Sequence, residues 1–565
     1  MWSTVRSLGL KQISRPAGRR WTTSATNAAS STKAAWKLPT SITIGTTSLV
    51  ACLLYLHNYR VLQTEAGARV KKPAGSSQVQ ADGAPKEDSG GTKTFRLDDV
   101  RSHGPDHKNV WVTRGTSVYD ITEWIPAHPG GNVILNAAGG SIDAFWEIFT
   151  IHLKPEVTDI LESYKIGEID ARDLVDGKVP SVAITDPFQA EPDRDRRLIV
   201  HSRKPRNAET PAEGLKSFIT TPELFYVRNH LWVPHLSDSE RTNYNLVLET
   251  LDGEEKKFSL EALDQLEQRT ITATLQCSGN RRSHMNSSSP PVSGLPWASG
   301  AISTATFTGP LLSDVLKQVG VSSETKNISE LHLQAVGLEG YGASIPLYKA
   351  LDPRGDVILA TMMNGYPIPR DHGSPLRLIV PGVVAARSVK FVSKLVVSDE
   401  ESHSQWQRRD YKSFGPNETQ QSADWDSAPA IQETPVNSAI TNIEERYVVK
   451  GEGIDGHDYV VVSGYAFAGG GRDIARVDIS VDGGKSWKQA KMLPDNAQGS
   501  QRWAWKRWRH EVGRAEIEAG GELVVKAVDI GYNVQPEQHG GIHNFRGNLA
   551  NAWHRVKYPV TAGGD

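Results

Sequence analysis

Residues 271–284 read ITATLQCSGNRRSH. The apolar run reads as a strand that delivers Cys277 to a turn containing Gly279, with Arg281 and Arg282 following at once. A thiolate is stabilised by neighbouring cations and becomes a better metal ligand. No CxxC pair and no tight histidine cluster accompanies it, which disfavours a structural zinc site. Three readings stand for this thiol: buried filler, a nucleophile served by His284 or His372, or a soft metal ligand.

The chain around it has 565 residues, too many for one core. At roughly 150 residues per domain, about three or four domains are expected. Mixed strands and short helices broken by Gly and Pro surround Cys277, so the cysteine domain is read as α+β over 197–425. Within it 244–250 (YNLVLET) and 376–381 (LRLIVP) read as strands and 311–319 as a short helix after Pro310. The formal net charge is -2. A nucleic-acid binder would carry a basic excess, so that class is set aside and any anion site must be a local cluster.

The N-terminus reads as an address. No acidic residue precedes Glu65, while Arg6, Lys11, Arg15, Arg19 and Arg20 lie among Ser, Thr and Ala. That is the composition of a mitochondrial transit peptide. An apolar run follows at 41–56 (SITIGTTSLVACLLYL), slightly short of the roughly 20 residues that span a bilayer. The two together predict a presequence over 1–63 that sorts the chain to the intermembrane space and leaves no stable membrane anchor in the mature form; the alternative reading is a permanent membrane anchor or a disordered basic tail. Cys52 would be removed with it, leaving Cys277 alone. Residues 64–92, polar and rich in Gly, Ala, Lys and Ser, read as a disordered linker.

A second signal lies at 93–170. A strand-like run at 110–122 (VWVTRGTSVYDIT) leads to Trp124 and then to His128, Pro129, Gly130 and Gly131. A helical pattern containing Phe145, Trp146 and Phe149 runs to His152, and the segment closes on YKIGEI at 164–169. Two imidazoles from opposite sides would make a six-coordinate haem iron suited to electron transfer. Alone, the His-Pro-Gly-Gly quartet reads equally as a surface turn. The following span, 171–196, is rich in Asp, Pro and charge and reads as a flexible hinge.

At the C-terminus, 426–560, short apolar runs alternate with turns. The stretch Val477 to Val481 runs into Asp482, Gly483 and Gly484, then Ser486 and Trp487, which is a hairpin signature. Repeated strands of this kind imply an immunoglobulin-like β-sandwich. Trp503, Trp505 and Trp508, spaced by Arg and Lys, fit either an interface or a strand with one buried tryptophan face.

The ordered pieces resemble two known families. The haem segment is similar to cytochrome b5, whose axial ligands fall on His128 and His152. TLQCSGNRR at 274–282, FYVRNH at 225–230, GLPW at 294–297, GAIS at 300–303, YGASIP at 341–346, MNG at 363–365, PRDHG at 369–373, PGVVAAR at 381–387 and WQRRDY at 406–411 resemble the sulfite oxidase family. The resemblance implies an α+β multidomain chain holding haem b and Mo-molybdopterin, with Cys277 on molybdenum. It implies that Tyr226, Val227, Arg228, Asn229, His230, His372, Arg377, Ser388, Val389 and Lys390 hold the pterin and its phosphate. Arg228, Arg282, Trp297, Tyr411 and Arg546 would line a pocket for sulfite, which guanidinium forks hold through paired hydrogen bonds. Electrons would pass through the haem to cytochrome c, and the C-terminal domain would form a homodimer. One departure stands at 337–340, where only Gly-Leu-Glu-Gly replaces a longer loop bearing an Asp near the pterin. Glu339 stands there and is not counted among the site residues.

Two other readings remain. A nitrate reductase-type enzyme would place its haem module after the molybdenum domain and add a flavin domain. A haem carrier fused to a non-catalytic binding module would contain no molybdenum.

Overall fold

The computed structural model describes residues 93–558, apart from 126, 127, 129, 154, 181–185, 449–456, 500 and 518–520. The presequence expected over 1–63 and the linker over 64–92 lie outside the described residues. Among the described residues no helix is long and apolar enough to cross a membrane.

The first layer is a four-stranded sheet ordered Thr94–Phe95, Lys165–Ile169, Ser117–Asp120, Trp111–Arg114. The run at 110–122 is a hairpin rather than one strand, because Gly115 takes a φ of 56° at its tip. Alternate side chains Val110, Val112, Tyr119 and Ile121 meet Ile142, Trp146 and Leu161 in one apolar cluster. His128 lies just before a 3-10 turn, Gly131–Ala137, and His152 lies in a second 3-10 turn, Thr150–Leu153, between the helices Asp143–Ile148 and Pro155–Glu162.

The span 171–196, expected to be a flexible hinge, is held at both ends. Val179 is buried with Phe95, Leu97 and Ile169 of the first layer. Phe188 is buried, and the Arg194 side chain is only 8% exposed where it meets Asp371. Two of its charges, Asp173 and Arg194, pair with Arg96 and Asp371 far along the chain.

The central domain holds two larger sheets. One is ordered Gly342–Pro346, His332–Gly337, Val392–Ser398, Asn245–Glu249, Glu255–Ser259, with one parallel pairing between Val392–Ser398 and Asn245–Glu249. The helix Leu312–Lys317 packs Leu312, Val315 and Leu316 into the core beside it. The other sheet pairs Gln268–Gln276 with Ile302–Pro310 over nine antiparallel positions, from Gln268↔Pro310 to Gln276↔Ile302. The strand Gln268–Gln276 starts exposed and ends buried, so it runs from the surface inward. It delivers Cys277 to the interior as a fixed continuation of a paired ladder.

The C-terminal domain is a sandwich of two four-stranded antiparallel sheets. One is ordered Asn437–Val448, His457–Phe467, Lys506–Gly513, Lys491–Met492, and the other Lys488–Gln489, Ile474–Ser480, Glu522–Asp529, His554–Lys557. The hairpin at Asp482 is present, with Ile474–Ser480 paired to Lys488–Gln489. Trp503, Trp505 and Trp508 are all buried within the chain. Their indole N–H groups donate to Asp356 Oδ2 at 2.7 Å, Phe218 O at 3.0 Å and Tyr465 O at 3.0 Å. Two of the three therefore stitch the sandwich to the central domain.

Candidate active site

One cavity in the central domain has Cys277 on its wall and a volume of about 680 Å³ including its mouth. Its framing strands explain why these residues meet. Cys277 ends the inward strand, and its backbone N–H donates to Ala301 O at 2.9 Å. Gly279 lets the chain turn there, since a Cβ at that position would lie 2.5 Å from Arg282 Nη2. Tyr226, Arg228, Asn229 and His230 line the cavity together with His372, Arg377, Ser388, Val389 and Lys390.

The cation placement is local and deliberate. Arg228 Nη1 donates to Asn207 Oδ1 at 3.1 Å and to Asn229 O at 2.7 Å, which fixes the guanidinium on the wall. Burial alone would lower the Arg228 pKa, but Tyr411, Cys277 and Asp410 more than offset this and hold it raised. Arg377 donates through Nη1 to His372 O at 2.9 Å, and burial brings its pKa down to about 10. Lys390 donates to Asp371 O at 2.8 Å and to Asn229 Oδ1, and burial followed by repulsion from Arg377 lowers it to about 7. His372 donates from Nε2 to Pro222 O at 2.7 Å and stays neutral, its pKa lowered by burial to about 4.

Two buried polar atoms on this wall lack a hydrogen-bond partner among the described residues: Arg377 Nε and Glu339 Oε2. Buried donors and acceptors are rarely left unpaired. A donor and an acceptor both left open in one cavity fit a ligand that offers acceptors, such as phosphate oxygens, and ring N–H donors. The cavity therefore fits Mo-molybdopterin, with the lone thiol supplying the soft ligand a redox metal needs. Glu339 itself is a residue that sequence reasoning left out. Burial pushes its pKa up, partly countered by its own backbone N–H and by Lys390. The short 337–340 loop was a visible signal, but only the fold shows that Glu339 turns inward. Tyr341 and Asp371 on the wall were not singled out either.

Tyr411 reaches the cavity and shares a 2.8 Å hydrogen bond with His230 Nε2. Burial and repulsion from Arg228 keep His230 neutral, and burial raises the Tyr411 pKa. Arg387, fully buried, donates to Tyr411 O at 3.5 Å, to Ile431 O at 2.9 Å and to Gln407 Oε1, and so fixes the backbone that presents the phenol.

Four expected residues lie beside the cavity rather than lining it. The Val227 side chain turns away into a cluster with Leu198 and Ala208. Trp297 is buried with Cys277 in one apolar cluster and meets His201 edge-on at 5.0 Å. Arg282 donates to Leu295 O at 2.8 Å and Arg546 O at 3.1 Å; burial lowers its pKa and the nearby Cys277 side chain opposes that. Arg546 is paired with Asp410 and donates to Ser293 Oγ at 3.1 Å. Arg281, beside Arg282 in sequence, leaves at a left-handed φ of 65° and donates to Asn437 Oδ1 of the sandwich at 2.8 Å.

In the first layer, the His128 and His152 rings lie 6.1 Å apart with planes 22° from parallel. Metals bind imidazole nitrogen at about 2 Å and the ring centre lies about 1 Å beyond, so two rings sharing one metal sit about 6 Å apart. His152 Nδ1 is buried without a partner among the described residues, and burial lowers the pKa of the ring to about 4. A neutral imidazole is the ligating form. These two residues fit a haem iron held between them.

Three family models match the chain: a cytochrome b5-like heme/steroid binding domain at 96–170, an oxidoreductase molybdopterin binding domain at 230–406, and a Mo-co oxidoreductase dimerisation domain at 428–561. The chain is 44% identical over 483 residues to the mitochondrial sulfite oxidase of Homo sapiens, covering 83% of this chain and 85% of that one. The chain belongs to the sulfite oxidase family. The sulfite oxidase of Gallus gallus is also 44% identical, over 471 residues that cover 82% of this chain and 99% of that one. A solved structure of the sulfane dehydrogenase SoxCD from Paracoccus pantotrophus shares the fold, with a TM-score of 0.52 and 24% identity over 72% of this chain and 96% of that chain. As a sulfite oxidase-family enzyme, this chain combines a haem-binding module with a molybdopterin oxidoreductase domain and a dimerisation domain.

The wall of this site is tied to the preceding span. Arg194 donates twice to Asp371, at 2.6 and 2.7 Å, and also pairs with Glu191. Arg194→Ala would strand a carboxylate whose side chain is 9% exposed. Breaking a buried pair costs about 3–5 kcal/mol. The variant is expected to show a lowered thermal midpoint and a lower molybdenum-to-haem ratio, measured by calorimetry and metal analysis. An unchanged ratio would separate Arg194 from the site.

Proposed function

We propose that this chain oxidises sulfite to sulfate in the Cys277 cavity and passes the electrons through a haem b between His128 and His152 to cytochrome c, in the mitochondrial intermembrane space. The observation that carries the reading is the convergence of a lone thiol with Arg228, Arg377 and Lys390 on one cavity. The mitochondrial names of the relatives and the acid-free, Arg-bearing N-terminus support the compartment. The matched dimerisation domain supports a homodimer.

Molybdenum bound there would supply the two-electron oxygen-atom exchange that separates sulfite from sulfate. Cys277 would be its protein ligand. Arg377, Lys390 and His372, with Ser388 and the backbone of Tyr226 and Val227, would hold the pterin and phosphate by charge-assisted hydrogen bonds. Arg228 would hold and orient the sulfite dianion, offsetting the repulsion between it and the other anions of the site. Arg282, Trp297 and Arg546 would act from behind the wall, keeping the turn after Cys277 and the Asp410–Tyr411 segment in place. Making sulfate from sulfite and water releases two protons with the two electrons. Tyr411, which stays protonated and has the neutral His230 2.8 Å away, would donate a hydrogen bond near the metal rather than take up either proton.

Arg228→Gln tests the pocket. Loss of one charged anion contact is worth about 1.5–3 kcal/mol, so the KM for sulfite is expected to rise about 10- to 100-fold. Steady-state cytochrome c reduction reads it, and an unchanged KM would remove Arg228 from the substrate site.

A further inference from the structure

Side chains alternate along a strand, so in Arg206–Glu209 the residues Asn207 and Glu209 share one face and Ala208 takes the other. Ala208 is buried with Leu198 and Val227. Asn207 is 2% exposed and Glu209 1%, yet neither lines the Cys277 cavity. Each instead holds a group on which the cavity depends.

Asn207 stands opposite Arg228 in the ladder. Its Oδ1 accepts from Arg228 Nη1 at 3.1 Å and from Asn229 N at 3.0 Å, while its Nδ2 donates to Ser202 Oγ at 2.8 Å and to Pro205 O at 3.2 Å. An amide bonded at both ends cannot turn without breaking one set of bonds. It therefore fixes the direction of the planar Arg228 fork. Two residues on, Glu209 Oε1 accepts from Ala298 N and from His201 Nε2 at 2.8 Å, and Oε2 accepts from Gly300 N at 2.8 Å. A carboxylate is acceptor-only and suits donors that converge on it. Thr210 N donates to Gly300 O at 3.0 Å, and a Cβ at 300 would lie 2.4 Å from Thr210 O, so only glycine fits this contact.

The segment clamped in this way carries the turn after the thiol. Cys277 N donates to Ala301 O at 2.9 Å, Arg281 N to Ala298 O at 2.8 Å and Ser283 N to Trp297 O at 3.0 Å. The anion-binding guanidinium and the thiol turn thus hang from points two residues apart on one strand, about 7 Å.

We propose that Asn207 and Glu209 are positioning residues of the reaction: Asn207 aims Arg228 at the sulfite, and Glu209 holds the 297–301 segment that seats Cys277. The proposal rests on the sulfite reading of the cavity given above. A misplacement of about 1 Å costs a bound reactant about 100-fold in rate, so a common rigid frame for anion holder and thiol bears on turnover.

The test is steady-state cytochrome c reduction by the holoenzyme, normalised to molybdenum content. Asn207→Leu keeps the volume and removes the acceptor. It is expected to raise the KM for sulfite about 3- to 10-fold, with kcat per bound molybdenum within about twofold of the parent. Combined with Arg228→Gln it should add less than about twofold, because it acts through that guanidinium. Glu209→Gln keeps the shape but turns amide hydrogens towards a buried donor, and is expected to lower kcat per bound molybdenum about 10- to 100-fold. If Glu209→Gln does not accumulate, His201→Phe removes one donor to the same carboxylate and keeps a ring beside Trp297, and its expected fall is about 3- to 10-fold. An unchanged KM in Asn207→Leu, or an effect that multiplies in full with that of Arg228→Gln, would overturn the proposal. So would a Glu209→Gln or His201→Phe enzyme whose turnover falls only in step with its molybdenum. A molybdenum-replete parent that turns over no sulfite would contradict the sulfite reading itself, and is recognised without any variant.

Discussion

Cys277→Ser is expected to lose sulfite-dependent cytochrome c reduction while its haem spectrum stays intact. The reason is chemical. At neutral pH a serine hydroxyl stays protonated and is a hard, weak donor, whereas a thiolate is a soft, charged one. Changing residues that only support a ligand typically costs 10- to 100-fold in metal-site activity, so loss of the ligand itself is expected to cost about a thousandfold or more. Sterically the change is mild. Cys277 is 6% exposed, ends a fully paired strand and is held through its backbone N–H, which serine keeps. Loss of activity therefore cannot be assigned to unfolding, and the haem layer, which has its own apolar core, serves as an internal control. Steady-state turnover normalised to the haem band measures it. Retained turnover would remove Cys277 from the metal.

His152→Ala is expected to have the second largest effect, and the reverse pattern. The His152 ring faces His128 at 6.1 Å and stacks on Trp146 at 5.3 Å. Removing it takes away one of two axial nitrogens and opens the iron, which ends its suitability for outer-sphere electron transfer. Haem content should fall, and cytochrome c reduction should drop by about 100-fold or more. A small soluble oxidant able to take electrons from the Cys277 cavity directly should still support sulfite oxidation. A variant that kept a six-coordinate haem spectrum would show that another residue ligates the iron.

Much of this was legible because the deciding signals are local. A run that pairs over nine residues and then meets Cys-Ser-Gly can only end as a buried turn, and the Asp-Gly-Gly turn at 482–484 makes its hairpin from its own dihedrals. What sequence could not carry is set by contacts between distant residues. Arg281 and Arg282 are neighbours, yet a left-handed φ at Arg281 sends one to the sandwich and leaves the other behind Cys277. The charged span 171–196 looks solvated until Asp371, 177 residues on, is seen to bind Arg194. Arg546 reads as a free anion-binding cation until Asp410 is found against it. Glu339 shows the same limit from the other side. Its loop was noticed as short, but the orphaned carboxyl oxygen on the cavity wall follows from where two strands place the loop.

The most direct test of the central claim is an anaerobic titration of the purified holoenzyme with sulfite, followed at the haem band. The account predicts that sulfite alone reduces the haem, and that Cys277→Ser carrying a full complement of haem is not reduced. A haem that stays oxidised in the parent enzyme, with molybdenum and sulfite both present, would contradict a single electron path from the Cys277 cavity to His128 and His152.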